Sequence, residues 1–90
     1  MSDAVDYEWA ARRRKQEHRL VVCAYPSDVV QLATIRVVWD EVQDIFIMQW
    51  MRGFAYPPRV SSEHPIERET ARAHWTHARS NGNQAIKEFP

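Results

Sequence analysis

The stretch VVQLATIRVVWDEVQDIFIMQWMRGF, residues 29–54, decides the fold, because it can form either one long helix or a β-hairpin. It has no glycine or proline before Gly53, so a helix starting from a cap at Ser27 is sterically possible. Nine of the nineteen residues from Val29 to Ile47, however, are Val, Ile or Thr, which are branched at Cβ and favour strands. We therefore favour a hairpin over a helix.

The alternation of apolar residues places the two strands of this hairpin. In ATIRVVWDE, one strand face would carry Ala33, Ile35, Val37 and Trp39. The polar segment DEVQD, residues 40–44, then interrupts the pattern, and IFIMQWM resumes it. We predict strands near residues 32–40 and 45–52, with a turn around Glu41–Asp44. The turn lacks the Asn-Gly or Asp-Gly pair that is typical of two-residue hairpin turns.

The flanking segments add one further strand and two helices. Residues 2–18, SDAVDYEWAARRRKQEH, have acids early and bases late, as a helix macrodipole favours. Residues 19–25, RLVVCAY, form a β-branched run that ends at a Pro-Ser-Asp turn. A loop over GFAYPPRVSSEH precedes a helix with Pro65 in its first turn, which stops at Asn81-Gly82. In the tail, Ile86 and Phe89 could dock on the body of the protein.

These elements predict an α+β fold in a single domain over residues 1–90. It comprises an N-terminal helix, a three-stranded antiparallel sheet and a C-terminal helix packed on the sheet. The alternative is an all-α bundle with a long central helix over the undecided stretch.

Composition and charge weaken several classes of function. Twelve basic residues balance twelve acidic ones, which argues against general attraction to nucleic acid or to an anionic membrane. No apolar run reaches the roughly 18 residues of a membrane span, and there is no signal-peptide core. Cys23 is the only cysteine, so we expect no internal disulfide and a cytoplasmic location. Gly53 and Gly82 stand alone and cannot form a phosphate-binding loop, and no cofactor is expected.

A stripe of arginines along the C-terminal helix is a candidate binding surface. The spacing i, i+4, i+7 and i+11 puts on one face Arg68, Arg72, Trp75 and Arg79. Arginine forks bind carboxylates and phosphates, and Trp and Arg are common at interface hot spots. The stripe could therefore meet an acidic protein surface or nucleic-acid phosphates. A solvated helix face is the ordinary alternative.

The run IFIMQWM is apolar on both faces of a strand, because neighbouring side chains point to opposite sides. One face would pack on helices and the other would need a cover. We therefore include Phe46, Met48 and Trp50 among the candidate partner-binding residues and expect a homo-oligomer or a complex with another protein. Ten aromatic residues in 90 also exceed what a small core needs.

Two further patterns suggest weaker candidates. The basic cluster Arg12, Arg13, Arg14 and Lys15 could contact phosphates, but four consecutive residues of a helix spread around its circumference. His74 and His77 lie three apart on the less polar arc of the C-terminal helix, where they should face the protein body. A zinc site would need additional ligands, and neighbouring residues supply no recognised spacing. The three carboxylates of DEVQD could hold a divalent ion, but in a turn such groups more often only keep it hydrated.

No catalytic constellation is visible, so we predict a non-enzymatic interaction protein. It would be a small regulator, inhibitor or accessory subunit that binds a larger protein. A nucleic-acid-binding module that uses the Arg/Trp helix face is the alternative, and a metal-dependent activity at the histidine pair is a weaker one.

Overall fold

The computed structural model describes residues 18–30, 32–52 and 59–90. They form a single antiparallel sheet with one helix. The elements in chain order are β1 (Arg19–Pro26), β2 (Ala33–Asp40), β3 (Ile45–Arg52), β4 (Arg59–Ile66), α1 (Arg68–Ser80) and β5 (Gln84–Ala85). The sheet order is β4-β3-β2-β1-β5, so four strands form a meander and β5 returns to the outer side of β1.

The predicted fold class is wrong, because the sheet has five strands rather than three. The all-α alternative is also wrong, since the undecided stretch forms β2 and β3. The predicted N-terminal helix over residues 2–18 lies outside the described residues, apart from His18, which lies in a turn. Within the described residues, α1 is the only helix. Among the described residues, no helix is long and apolar enough to cross a membrane, since α1 has 13 residues and is largely polar.

The β2–β3 hairpin forms at the predicted strands. Its turn has no Asn-Gly pair and is stabilised instead by Asp40 and Asp44. Asp40 is 2% exposed, and its Oδ1 accepts hydrogen bonds from the backbone amides of Val42 and Gln43, both at 3.1 Å. Asp44 adopts the left-handed conformation, with φ of 53°, which short polar side chains tolerate. The Trp39 indole nitrogen donates to Asp44 Oδ1 at 3.1 Å. The four-residue turn therefore holds its shape through two aspartates.

β4 and β5 are the two strands that were not predicted; RVSSEH in β4 has the polar composition of a loop, and β5 has only two residues. Pro65 lies in this strand opposite Ile47 and not in the first turn of a helix. β4 borders only β3 among the described strands, and an edge strand can hold a proline because its outward amide needs no partner. The helix begins later, at Arg68, after Glu67 as N-cap.

α1 packs on one face of the sheet, here called the helix face. Ala71 and Ala78 are fully buried, and their small side chains let the helix approach the strands closely. The core beneath them contains Val22, Cys23, Val37 and Phe46. Tyr25, Trp39, Ile66, Trp75, Ala85, Ile86 and Phe89 pack around it. Ile86 and Phe89 thus dock on the body as expected.

The opposite side of the sheet, here called the second face, is also largely buried. Val38 is 2% exposed, and Ile47 and Met51 are each 6% exposed. On the helix face of β3, Phe46 is 3% exposed, whereas Met48 and Trp50 are half-buried. The expectation of a partner or a second copy at residues 45–51 stays a prediction.

The helix ends as predicted at Asn81-Gly82. Gly82 has a φ of 69°, and its amide donates to the Arg79 carbonyl at 3.2 Å. The Asn83 amide donates to the Ala78 carbonyl at 2.8 Å. This six-to-one hydrogen bond is the Schellman arrangement, which suits a glycine in the left-handed conformation.

Replacing Asp40 with Ala should lower the free energy of unfolding by about 1–3 kcal/mol, because two turn amides lose a charged acceptor. Urea denaturation of the purified variant measures this loss. Asp44→Asn is the matched control, since Asn keeps an acceptor oxygen and tolerates a positive φ, and it should stay within about 0.5 kcal/mol of the wild type. Equal stabilities for Asp40→Ala and the control would contradict this account of the turn.

Candidate functional site

The predicted arginine stripe lies on α1, where it holds the C-terminal tail of the same chain. The Trp75 indole donates to the Ile86 carbonyl at 2.8 Å, and Arg79 Nη1 donates to the Lys87 carbonyl at 2.7 Å. Arg68 donates to the Pro90 carbonyl. Three members of the stripe therefore have partners in residues 86–90.

The side chain of Phe89 fills an aromatic slot between the sheet and α1. Its ring stacks on Phe46 at a centroid distance of 5.1 Å and lies 5.6 Å from Trp75. The guanidinium groups of Arg68 and Arg72 lie 5.4 and 5.7 Å from its centroid, within cation–π distance. The tail thus contacts all four residues of the predicted stripe, while the side chains of the three arginines stay exposed.

The three apolar candidates on β3 lie in different environments. Phe46 is 3% exposed, beneath α1. Met48 and Trp50 are half-buried. Trp50 contributes to a shallow depression of about 420 Å³, whose described lining residues also include Val30 and Ser62.

Both histidines contact Tyr25 of β1, but only His74 is half-buried, whereas His77 is exposed. The Tyr25 hydroxyl lies 2.5 Å from His74 Nδ1, and the Tyr25 ring lies 4.8 Å from the His77 ring in an edge-on arrangement. Burial, followed by the nearby His77, lowers the pKa of His74, and burial raises the pKa of Tyr25. The cluster therefore favours neutral forms of His74 and Tyr25.

The described part of the chain was compared with two further kinds of site: a metal site and a reactive thiol. No group of three His, Cys, Asp or Glu side chains there could hold a metal ion. Of the DEVQD carboxylates, Asp40 and Asp44 bond within the turn, and Glu41 lies 3.5 Å from His18. Burial raises the pKa of Cys23 to about 11, so the thiolate form is disfavoured. The basic cluster at residues 12–15 lies outside the described residues.

A groove on the second face is a feature that the sequence analysis did not identify; it is called the arginine groove here. Its volume is about 560 Å³, and its described lining residues are Arg19, Val21, Arg36, Val38, Gln49, Val60 and Glu63. The polar members form a connected row across the sheet. Arg36 Nε donates to Gln49 Oε1 at 2.7 Å, and the Gln49 amide donates to Glu63 Oε2 at 2.8 Å. Arg19 Nη1 also donates to Glu63 Oε2, at 3.2 Å.

The charges of this row do not cancel. The row has two guanidinium groups and one carboxylate: Arg19 pairs with Glu63 directly, and Arg36 is connected to Glu63 through Gln49. The hydrogen bond from Gln49 is the largest cause that lowers the pKa of Glu63, and the charge of Arg19 adds to it. Burial lowers the pKa of Arg36, and the Glu63 charge opposes that effect. The described lining of the groove is therefore partly desolvated and carries a net positive charge.

The register of the hairpin brings the row together, and part of it was present in the sequence. Arg36 and Gln49 each interrupt an apolar strand, and the four-residue turn puts them directly opposite each other. Glu63 is opposite Gln49 only through β4, which the sequence analysis did not assign to a strand. Lone polar residues in the two strands of one hairpin are the pattern that could have identified the site.

The connection between β1 and β2 exposes an apolar tip, here called the β1–β2 tip, formed by Val29, Val30 and Leu32. Val29 is 90% exposed and Leu32 is 59% exposed. Leu32 also has a φ of 62°, a left-handed conformation that is unfavourable for a residue with a Cβ. Ser27 Oγ accepts hydrogen bonds from the amides of Val29 and Val30, at 3.2 and 3.0 Å, and shapes the turn.

Comparisons with protein-family models, curated proteins and solved structures found no match to this chain.

Replacing Phe89 with Ala should lower the free energy of unfolding by about 1–3 kcal/mol, since a half-buried ring leaves its contacts with Phe46 and Trp75. Chemical denaturation measures the change. Lys87→Ala is the control in the same tail, because the Lys87 side chain is exposed and only its carbonyl is bonded. A Phe89→Ala variant as stable as Lys87→Ala would show that the tail does not stabilise the fold.

The free energy of unfolding should fall as the pH drops below about 6.5, the ordinary pKa of histidine. The pKa of His74 is lower in the folded protein, so the unfolded chain takes up a proton first and protonation favours unfolding. Urea denaturation at steps between about pH 7.5 and 5.5 follows this loss. His74→Gln should flatten the dependence, whereas the control His64→Gln, at an exposed position of β4, should retain it. The same slope in His74→Gln as in the wild type would refute the role of His74.

Proposed function

We propose that this protein is a small non-enzymatic interaction protein that binds a larger protein through the β1–β2 tip. The observation that carries the proposal is the exposure of Val29 and Leu32, at 90% and 59%, within the one short connection between β1 and β2. Exposed apolar side chains held together on one surface feature are typical of protein-binding sites. A regulator, an inhibitor or an accessory subunit would each fit this description.

The backbone of the tip supports the same proposal. Ser27 fixes the turn through two backbone amides, and the Ser27 amide donates to the Ala33 carbonyl at 2.9 Å. A shape that is held before binding loses less conformational entropy when it docks. Leu32 at a positive φ also costs stability, and unfavourable backbone conformations of this kind cluster at functional sites.

The geometry favours a different protein over a second copy as the partner. The tip is a projecting turn with few side chains, so it fits a concave apolar site. Two projecting turns that meet tip to tip would bury far less than the roughly 800 Å² per partner of a stable interface. On β3, which the sequence suggested for self-association, Ile47 and Met51 are 6% exposed and Met48 and Trp50 are half-buried. Less apolar surface is therefore available there to a second copy than the sequence indicated.

The nucleic-acid alternative has less support. Arg68 and Arg79 hold the tail through hydrogen bonds, and Arg72 packs over Phe89. The total charge of the chain is zero. We further propose that the protein acts in the cytoplasm, where a free thiol such as Cys23 is common.

Leu32→Asn should raise the free energy of unfolding by about 0.5–1 kcal/mol, because Asn adopts the left-handed conformation more readily than Leu. The same change should weaken partner binding, because it removes an exposed apolar contact. Opposite effects on stability and on binding would distinguish a binding residue from a structural one. Urea denaturation provides the first measurement, and quantitative affinity purification from the source organism provides the second.

The controls make the purification specific to the tip. Val29→Asp should reduce the amount of captured partner at least about tenfold. Val42→Asp should leave it unchanged, since Val42 is 68% exposed in the β2–β3 turn at the other end of these strands. A protein captured equally by all variants is not a partner of the tip. Light scattering of the wild type and of Val29→Asp measures the oligomeric state. A wild-type dimer that becomes a monomer in Val29→Asp would show that the tip binds a second copy and not a different protein.

A further inference from the structure

We propose that the arginine groove binds a small organic monocarboxylate with an apolar body. The site is independent of the β1–β2 tip, and its described lining shares no residue with it. Its volume of about 560 Å³ lies within the range of about 300–1,000 Å³ for small-molecule sites. Within the described residues, the groove combines free hydrogen-bond donors, positive charge and an apolar wall.

The described side chains that line the groove offer more hydrogen-bond donors than acceptors. Arg36 uses only Nε within the described residues, for Gln49, which leaves its two terminal nitrogens as a free fork. Arg19 bonds to Glu63 through Nη1, while its Nε is buried without a partner in the same part of the chain. A buried donor without a partner costs free energy until an acceptor pairs with it. An arginine fork matches the two oxygens of a carboxylate.

The charges of the described lining residues favour a ligand with one negative charge. Arg19 and Arg36 face Glu63, which accepts from both Arg19 and Gln49. One carboxylate would bring the site to neutrality in a partly desolvated environment. A phosphate dianion would exceed neutrality and would lie close to Glu63, so repulsion disfavours it.

The rest of the groove favours an apolar ligand body. Val21, Val38 and Val60 line it beside the polar row. Val60 is 42% exposed and Val38 is 2% exposed, so the wall runs from the surface to the floor of the sheet. Pockets that combine apolar walls with a few directed polar groups are typical of small-molecule sites. The carboxylate would lie at Arg36 and the apolar body along the valines.

The first experiment compares three probes with the same carbon chain: octanoate, 1-octanol and octyl phosphate. Each is titrated into the full chain labelled with nitrogen-15, and amide chemical shifts report the binding site and the affinity. Octanoate should bind with shifts centred on Arg36, Gln49 and Glu63, at least about tenfold more tightly than 1-octanol. Octyl phosphate should bind more weakly than octanoate. Equal binding of octanoate and 1-octanol, tighter binding of octyl phosphate, or shifts outside the groove would each overturn the proposal.

Substitutions of charged residues then test the donor. Arg36→Met keeps an unbranched apolar side chain and should weaken octanoate binding at least about tenfold. Arg52→Met, an exposed arginine on β3 outside the groove, should leave the affinity unchanged. Amide spectra of both variants first establish that the fold persists. Equal affinities for the two variants would refute the role of Arg36.

A third variant changes the charge balance without removing a guanidinium group. Glu63 is exposed, and Glu63→Gln keeps an oxygen that can accept from Gln49 and Arg19. The site would then carry two net positive charges. The affinity for octyl phosphate should rise several-fold more than the affinity for octanoate. The preference of the wild type for octanoate over octyl phosphate should therefore shrink or disappear. Unchanged affinities for both probes would overturn the proposal even if Arg36→Met failed to fold.

Discussion

The closure of the β2–β3 hairpin at its four-residue turn is the constraint on which the rest of the molecule depends. Asp40 and Asp44 fix the length of the turn, and that length fixes which residues face each other. A slip of one residue would exchange the two faces of a strand. Phe46 would then leave the slot for Phe89, and Gln49 would lie beneath the helix. The core and the arginine groove therefore depend on the same register.

The packing of α1 follows from this arrangement. Two alanines allow the helix to approach the sheet, and Trp75 reaches past them to the tail. The arginines beside Trp75 contribute to packing. The guanidinium of Arg68 lies over the Phe89 ring, and that of Arg79 lies over Trp75 and donates to the Lys87 carbonyl. Several aromatic residues of this small chain therefore attach residues 86–90: Phe46 and Trp75 contact the ring of Phe89.

The sequence predicted those elements whose pattern is local, and it failed where the pattern depends on distant partners. The hairpin, β1 and the helix end each have a residue pattern of their own, such as the Asn81-Gly82 stop. β4 is polar because it lies at an edge, so its residues resemble a loop, and Pro65 there resembles a helix start. The Arg–Trp stripe was read correctly as one helix face, but nothing in its spacing shows that residues 86–90 lie on it. The groove required both the hairpin register and β4, and only the first could be predicted.

The return of β5 to β1 has a consequence for the order of folding. The meander of β1 to β4 joins neighbours in the sequence, whereas Cys23 meets Ala85 across almost the whole described chain. Contacts of such large sequence separation form late, because closing a long loop costs entropy before it is repaid. The meander can therefore close before Phe89 reaches the slot on Phe46. The docking of β5 and of the residues that follow it then completes the core.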